Sequence, residues 1–365
     1  MTIRLRKTEI DKISLRKKIL KKIDAVLLDK KIMMGPRISR TEKKLSNFLN
    51  SPYSLLTSSG SDSIFMSLMC LDLKPGDEII TTPLSWVTSA TPIMMLNLKP
   101  IFVDIDNNLN INVNKIEKQI TKKTKAILIV HFTGRACDMK KILYLKKKYK
   151  LYLIEDCSQA FGSKYDNKYC GTFGDFGCFS MNPMKNLSAY GEAGLITVKN
   201  IKYYRKLKLL RYAGTKNKEF CYFPSSNFKP DTLQTVFLEN SLINLNKKLK
   251  QKNNIAKLYR KNLTKKLKFQ ITDKKYKHSY YSFVIYCNQR DKLVKYLKKR
   301  RIETKIEHPI LIPNQVAFKK KYKYKKLEFP VANNLVKKIL SIPIREDLKN
   351  SEINFIINSI NKFYD

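Results

Sequence analysis

Short apolar runs alternate with longer amphipathic segments in the first half of this chain, and this alternation constrains the fold more than any other feature. Turn signals, Pro75-Gly76-Asp77 and Lys99-Pro100, precede two of the runs. Strands separated by helices form βαβ units, in which the strands lie parallel. We therefore predict an α/β fold with a mostly parallel central sheet. The runs interpreted as strands are Glu78 to Thr81, Pro100 to Ile105, Ala126 to His131 and Leu151 to Ile154.

The pattern changes after Gly214, which indicates a second, smaller domain. A polar loop extends to Pro230, and a lysine-rich helical stretch then runs from about Asp231 to Lys268. Only one strand candidate follows, Tyr280 to Tyr286. At roughly 100–200 residues per domain, a chain of this length holds about two domains. We predict a large α/β domain over residues 1–240, with an N-terminal helical segment at 1–34, and a small C-terminal α+β domain over residues 241–365.

Two helices are predicted before the first strand run. Apolar residues between Ile10 and Leu27 recur at helical spacing. Ser39 followed by Glu42 matches a capping box, which would open a second helix at that point.

The formal net charge is +43, from 73 Lys and Arg against 30 Asp and Glu. Such a charge is typical of proteins that bind polyanions, because phosphate neutralisation drives non-specific nucleic-acid binding. The excess here is almost entirely lysine spread along the chain, whereas recognition of bases and phosphates favours arginine. We interpret the lysines as solvated surface, including the dense cluster Lys319 to Lys326, and predict no nucleic-acid partner. A basic nucleic-acid-binding protein remains an alternative.

Cysteine and histidine usage argues against disulfides and metal centres. None of the seven cysteines belongs to a CxxC pair, and most lie in apolar stretches, which favours free thiols in a reducing compartment. The three histidines, His131, His278 and His308, are widely separated, so we predict no metal site. Neither a signal peptide nor a membrane span fits the sequence. We therefore predict a cytoplasmic protein with no membrane partner.

Two segments place polar residues where ligands usually bind. Gly60 and Ser61 lie in a run of small residues before a helical stretch, where backbone N–H groups can bind phosphate. The structural alternative is an ordinary helix N-cap. Asp156 follows the run that ends at Ile154, at the strand end where open α/β sheets bind ligands, and Gln159 comes shortly after. The structural alternative for Asp156 is that it caps the next helix.

Lys185 and Trp86 complete a chemically coherent set. Lys185 differs from the other lysines in its apolar, Gly-rich neighbourhood, which favours use as a nucleophile. Trp86 is the only tryptophan and follows a strand run, so it either packs in the core or stacks on an aromatic cofactor. An amine, an acid, a phosphate site and a stacking ring are the groups that pyridoxal 5'-phosphate requires. We therefore predict this cofactor.

The order of these motifs resembles that of the DegT-type sugar aminotransferases. These are fold type I, pyridoxal-phosphate-dependent enzymes that aminate keto-sugars attached to nucleotides. The resemblance runs from about Gly35 to the C-terminus. Its segments include Lys74 to Ile80, Lys99 to Asp104, Ile154 to Asp156, Ser180 to Lys185 and Gly191 to Gly194.

The resemblance implies a role for each candidate residue. Lys185 would bond to the cofactor as a Schiff base, and Asp156 would pair with the ring nitrogen. Gln159 would lie near the ring hydroxyl, and Trp86 would stack on the ring. The phosphate would be held by Gly60, Ser61 and Ser180, and by Asn227 from the second subunit of a homodimer with shared active sites.

The resemblance also implies the substrates, a nucleotide-linked keto-sugar and L-glutamate, in the biosynthesis of an amino sugar for a surface glycan. The segment from His308 to Gln315 is similar to a loop common among enzymes acting on 3-keto sugars, so we favour amination at C3 over C4. His308 replaces the usual Tyr of that loop. A related branch that removes a sugar hydroxyl carries His at the lysine position, so Lys185 weighs against dehydration. Dehydration and epimerisation of a nucleotide sugar remain alternatives.

Overall fold

The computed structural model describes residues 2–322 and 328–365. Part of the cluster Lys319 to Lys326 therefore lies outside the described residues. Within them the helices are α1 (Ile13–Leu27), α2 (Pro36–Leu49), α3 (Gly60–Met69), α4 (Thr91–Met95), α5 (Val113–Ile116), α6 (Met139–Lys148), α7 (Ile201–Arg211), α8 (Gln234–Asn262), α9 (Arg290–Lys299), α10 (Val316–Lys321), α11 (Pro330–Leu335) and α12 (Asn350–Tyr364). The strands are β1 (Tyr53–Thr57), β2 (Glu78–Thr81), β3 (Lys99–Phe102), β4 (Thr124–Val130), β5 (Tyr152–Asp156), β6 (Lys164–Tyr165), β7 (Lys168–Tyr169), β8 (Phe176–Ser180), β9 (Gly194–Val198), β10 (Thr215–Lys216), β11 (Phe220–Cys221), β12 (Lys268–Phe269), β13 (Tyr276–Lys277), β14 (Phe283–Tyr286) and β15 (Ile339–Ile342).

A seven-stranded sheet forms the centre of the molecule, in the order β1-β9-β8-β5-β4-β2-β3. The pairs from β8 to β3 are parallel, whereas β9 is antiparallel to both of its neighbours, β1 and β8. Side chains of α3 and α7 pack on one face, and those of α2, α6 and α8 pack on the other. The predicted α/β fold with a mostly parallel sheet is confirmed.

The sheet brings distant parts of the chain together at one edge. The parallel strands all end there, so the residues that follow β1, β2, β5 and β8 become neighbours. Asp156 is the last residue of β5 and pairs in register with Cys178 of β8. This edge holds the candidate site.

The C-terminal part has its own small antiparallel sheet, β12-β14-β15, packed with α9 and α12 around a separate apolar cluster. The helix α8 runs between the two regions: Leu245 packs in the core of the central sheet and Tyr259 in the C-terminal cluster. The boundary predicted at residues 240 and 241 lies inside this helix, and the division into two domains stays a prediction. No helix in the described ranges is both long and apolar enough to span a bilayer.

The predicted capping box is wrong. The helix α2 begins at Pro36, with Gly35 as its N-cap, and Ser39 lies inside the helix. Proline at the first helical position fixes φ in the helical range and needs no N–H partner, so it marks the start without a side-chain cap. Glu42 instead is buried, where it accepts hydrogen bonds from the Leu56 N–H (2.8 Å) and the Arg211 guanidinium (2.5 Å).

Candidate active site

A cavity of about 470 Å³ opens at the carboxyl edge of the central sheet, and it gathers seven of the eight predicted site residues. Asn227 is the exception. It is exposed and is not among the residues that line this cavity, and its Oδ1 accepts a hydrogen bond from the Lys229 N–H at 3.3 Å. The predicted residues that line the cavity are Gly60, Ser61, Trp86, Asp156, Gln159, Ser180 and Lys185.

The N-terminus of α3 meets the end of β8 and forms a cradle for an anion. Ser59 caps the helix by accepting a hydrogen bond from the Asp62 N–H (3.1 Å). A Cβ on Gly60 would lie 2.6 Å from the Ser180 Cβ and 2.8 Å from its Cα, so only glycine permits this approach. The unpaired N–H groups at the start of a helix favour negative charge. Ser61 and Ser180, which carry hydroxyl groups, line the cavity beside them.

Asp156 is a buried carboxylate held by two hydrogen bonds. It is 3% exposed and lines the cavity. Its Oδ2 accepts from the Ser89 hydroxyl (2.7 Å), and its Oδ1 accepts from the Ser158 N–H (3.0 Å). The Ser85 hydroxyl lies 2.7 Å from that of Ser89 and extends this network. The carboxylate is therefore fixed on the cavity wall before any ligand binds.

The adjacent carboxylate, Glu155, has a structural role. It is fully buried, and its oxygens accept from the N–H groups of Gly171 (2.8 Å), Phe173 (2.8 Å) and Gly174 (2.7 Å). It also lies 3.0 Å from the His131 Nε2. Because the His131 Nδ1 accepts from the Cys137 N–H, Nε2 carries the proton and donates to Glu155.

His131, Glu155 and Cys157 lie close enough together to form a metal-ligand group. The hydrogen bonds of Glu155 and His131 already use the ligand atoms of both residues. We therefore do not propose a metal site there.

Lys185 lies on the segment between β8 and β9, and its amine faces the ring of Tyr281. The Nζ lies 4.7 Å from the centre of that ring, and the guanidinium carbon of Arg6 lies 4.3 Å from it. Burial would raise the pKa of the Tyr281 phenol, but the charges of Lys185, Arg6 and Lys305 outweigh it and lower that pKa. Tyr281 is thus a nearly buried phenol that ionises more readily than an ordinary tyrosine, beside the candidate amine.

Trp86 and His308 form the rim of the cavity. Trp86 follows β2 and remains 59% exposed, with its ring 6.0 Å from that of His308. Burial lowers the pKa of His308 well below its usual value, so this imidazole is neutral at neutral pH. A lone tryptophan in the core would be covered, so the exposed ring supports the stacking interpretation over the core alternative.

Comparison with known proteins gives the family. The model of the DegT/DnrJ/EryC1/StrS aminotransferase family matches residues 13–361. The chain belongs to this family. The predicted aminotransferase is therefore confirmed, and so is pyridoxal phosphate as the cofactor of the family.

Individual relatives cover nearly the whole aminotransferase. A "pleiotropic regulatory protein" of Geobacillus stearothermophilus is 30% identical over 96% of this chain and 95% of its own length. The dTDP-3-amino-3,6-dideoxy-alpha-D-galactopyranose transaminase of Aneurinibacillus thermoaerophilus is 30% identical over 95% and 96%. The crystal structure of DesV from S. venezuelae, in complex with a ketimine intermediate, has a TM-score of 0.96 at 23% identity, over 100% of this chain and 99% of that one. This last similarity supports the fold.

The cavity of the aminotransferase fits the cofactor. A cradle that a single Cβ would fill suits the phosphate, and a buried carboxylate suits a protonated ring nitrogen. The Gln159 Oε1 accepts from the Thr133 N–H (2.7 Å), which leaves the amide nitrogen as a donor for the ring hydroxyl. The amine of Lys185 completes the set that the cofactor needs.

The sequence interpretation assigned no site role to several further residues of the cavity wall, among them Ser89, Glu192, Tyr281 and Lys305. Ser89 is polar in a region without a strong pattern, and its role appears only through the hydrogen bond to Asp156. Tyr281 belongs to the predicted strand Tyr280 to Tyr286, but observed β14 begins two residues later, at Phe283. The adjacent tyrosines Tyr280 and Tyr281, just before this strand, are the sequence feature that could have indicated a site residue here.

Proposed function

We propose that this aminotransferase transfers an amino group from L-glutamate to a keto-sugar linked to a nucleotide. The observation that carries the proposal is the convergence of the Lys185 amine, the Asp156 carboxylate and the Gly60 cradle in one cavity. The name of the Aneurinibacillus relative, a dTDP-sugar transaminase, supports the substrate class.

Each residue of the cavity has a separate role in the reaction. When bound, pyridoxal phosphate supplies an electron sink for negative charge that develops on the substrate carbon. The Gly60 turn and the hydroxyls of Ser61 and Ser180 hold the phosphate group. Asp156 keeps a proton on the ring nitrogen, because its buried negative charge favours a cation beside it. The Lys185 amine moves a proton at the substrate carbon.

The part of the cavity lined by Lys305 suits an anionic substrate. Lys305 lines the cavity, and its Nζ pairs with the buried carboxylate of Glu307 at 3.0 Å. Hydroxyls of Ser282 (2.8 Å) and Ser341 (2.9 Å) donate to the other oxygen of Glu307 and hold it in place. This anchored ammonium attracts the carboxylate of the amino donor or the diphosphate of a sugar nucleotide.

We further propose a 3-keto rather than a 4-keto substrate, and an amino-sugar product that enters a surface glycan. The 3-amino product in the name of the Aneurinibacillus relative supports C3. The loop between His308 and Gln315, whose His308 lines the cavity, also supports it.

A homodimer with shared active sites is also part of the proposal. Asn227 is exposed and does not line the cavity of its own chain, which supports a role in the site of the partner. The test mixes two inactive variants, Lys185→Ala and Asn227→Ala. If Asn227 acts across the interface, mixed dimers contain one intact site and regain activity. If Asn227 acts within its own chain, the mixture stays inactive.

The substrate is tested with the purified enzyme, pyridoxal phosphate, L-glutamate and a panel of 3-keto and 4-keto nucleotide sugars. The expected product has the carbonyl oxygen replaced by an amino group and a hydrogen, read by mass spectrometry. Lys185→Ala abolishes this product, whereas the control Lys199→Ala retains it, because the Lys199 Nζ only contacts the Phe173 carbonyl outside the cavity. Loss of a hydroxyl from the sugar would support dehydration instead, and no aminated sugar from any substrate would refute the proposal.

A further inference from the structure

The segment that carries Lys185 is a thin wall between two cavities. Lys185 lines the candidate active site on one side and a second cavity of about 330 Å³ on the other. The segment between β8 and β9 contains neither helix nor strand. Bonds within the segment, such as that from the Lys185 N–H to the Asn182 carbonyl (3.0 Å), are joined by hydrogen bonds from other parts of the chain that help to fix the position of this amine.

The helix α8 supplies three such bonds from three successive points along its length. The Gln234 Oε1 accepts from the Tyr190 N–H (2.9 Å), and the Ser241 Oγ accepts from the Ser188 N–H (3.1 Å). The third bond lies next to the reactive lysine: the Lys252 Nζ donates to the Asn186 Oδ1 at 2.7 Å.

Lys252 is an unusual lysine in this chain. It is 5% exposed, and among the described residues no carboxylate lies within ion-pairing distance of its Nζ; Glu346, whose charge acts on it from farther away, pairs with Lys248. Arg6 and Asp347 also line the second cavity. Burial, aided by the charge of Arg6, lowers the pKa of Lys252 to about 7. A buried amine of this kind is costly, which indicates a specific use.

We propose that Lys252 is a positioning residue, which sets the place of the Lys185 amine through its hydrogen bond to Asn186. This inference rests on the proposed role of Lys185. The amine of Lys252 is a hydrogen-bond donor in both protonation states, so it can hold Asn186 on either side of neutral pH.

Asn186 also links the Lys185 segment to the opposite side of the active site. Its Nδ2 donates to the Ser279 carbonyl at 3.0 Å, two residues before Tyr281, whose ring faces the Lys185 amine. The next residue of α8, Asn253, donates from its Nδ2 to the His278 carbonyl at 3.0 Å. One helix thus places both the amine and the ring opposite it.

The test compares Lys252→Met, Asn186→Ala and the double variant with the control Lys248→Met. Lys248 lies one turn earlier on α8 and pairs with Glu346 at 3.3 Å. We expect Lys252→Met to lower kcat about tenfold with KM for both substrates within about twofold, because the misplacement acts on the proton transfer. The double variant should be no slower than the slower single variant, since Asn186→Ala already removes the bond that Lys252→Met breaks. Lys248→Met should match the wild type.

A second measurement does not depend on turnover. Apoprotein is mixed with pyridoxal phosphate, reduced with borohydride at timed intervals, and the adduct on the Lys185 peptide is quantified by mass spectrometry. We expect slower labelling in Lys252→Met than in Lys248→Met. Absence of any Lys185 adduct in the wild type would refute the proposed function itself. Normal labelling and normal kcat in a folded Lys252→Met protein, or independent effects that multiply in the double variant, would refute only the positioning role.

Discussion

The substitution Gly60→Ala tests the cradle directly. The added Cβ would lie 2.6 Å from the Ser180 Cβ, whereas carbon atoms pack at about 3.5–4.0 Å. Ser180 ends a strand paired on both sides, so the start of α3 must move by about 1 Å. A shift of that size breaks N–H bonds to a phosphate, which operate near 2.9 Å. Losing two such bonds at about 1.5–3 kcal/mol each costs about 3–6 kcal/mol.

That free energy corresponds to a rise in the cofactor Kd of about a hundredfold to ten-thousandfold. Trp86 is the only tryptophan and lies at the cavity rim, so its fluorescence reports binding at this site. Apoprotein is titrated with pyridoxal phosphate. The control is Gly76→Ala: Gly76 has a φ of +86° and no atom near its Cβ position, so it costs about 1 kcal/mol of fold stability without touching the site. A folded Gly60→Ala protein whose Kd stays within about threefold of the wild type would refute the cradle.

Three further changes separate structural from chemical roles. Asp156→Asn keeps an acceptor for Ser89 but removes the charge, so kcat should fall at least about a hundredfold while the urea midpoint barely moves; the reverse result would contradict our assignment. Glu155→Gln leaves two buried N–H donors without an acceptor, at about 1–3 kcal/mol each, so the free energy of unfolding should fall by about 2–6 kcal/mol. The control Glu117→Gln, on the surface, should leave the urea midpoint unchanged. Because its lowered pKa makes Lys252 bind fewer protons in the folded state, stability should rise between about pH 7 and pH 10, and urea midpoints of Lys252→Met should show a smaller rise.

The sequence predicts the sheet edge well because the relevant signals are local. Asp156 and Gln159 directly follow an apolar run, and the Gly60 turn precedes a helical one, so position along the chain already implies position in the sheet. The strand run Glu78 to Thr81 coincides with β2. The alternation did not identify β8 or β9; Gly177 interrupts the apolar run of β8. A Cβ at Gly177 would lie 2.2 Å from the Gly171 carbonyl oxygen, which explains the glycine but only after the fold is known.

The missing part of the site comes from long-range contacts. Tyr281 and Lys305 follow α8 in sequence, about a hundred residues after Lys185, and no local pattern links them to the sheet edge. The same limit explains the error at Glu42, whose spacing from Ser39 suits a capping box but whose partner, Arg211, is far along the chain. Local patterns compete with tertiary contacts that only the fold defines.

The site therefore combines a rigid half and an adjustable half. The cradle and Asp156 sit on strand and helix ends whose positions are set by the central sheet, so changes there should act on cofactor affinity or ring protonation. Lys185 instead sits on an irregular segment with a cavity on each side, so its position depends on a few hydrogen bonds within the segment and from α8. An amine that moves a proton benefits from this arrangement, because the Lys185 Nζ must change position during the reaction while the Asp156 carboxylate stays in place. Changes at the α8 residues that hydrogen-bond to this segment, such as Lys252, should consequently lower kcat while leaving cofactor affinity intact, the opposite of changes at Gly60.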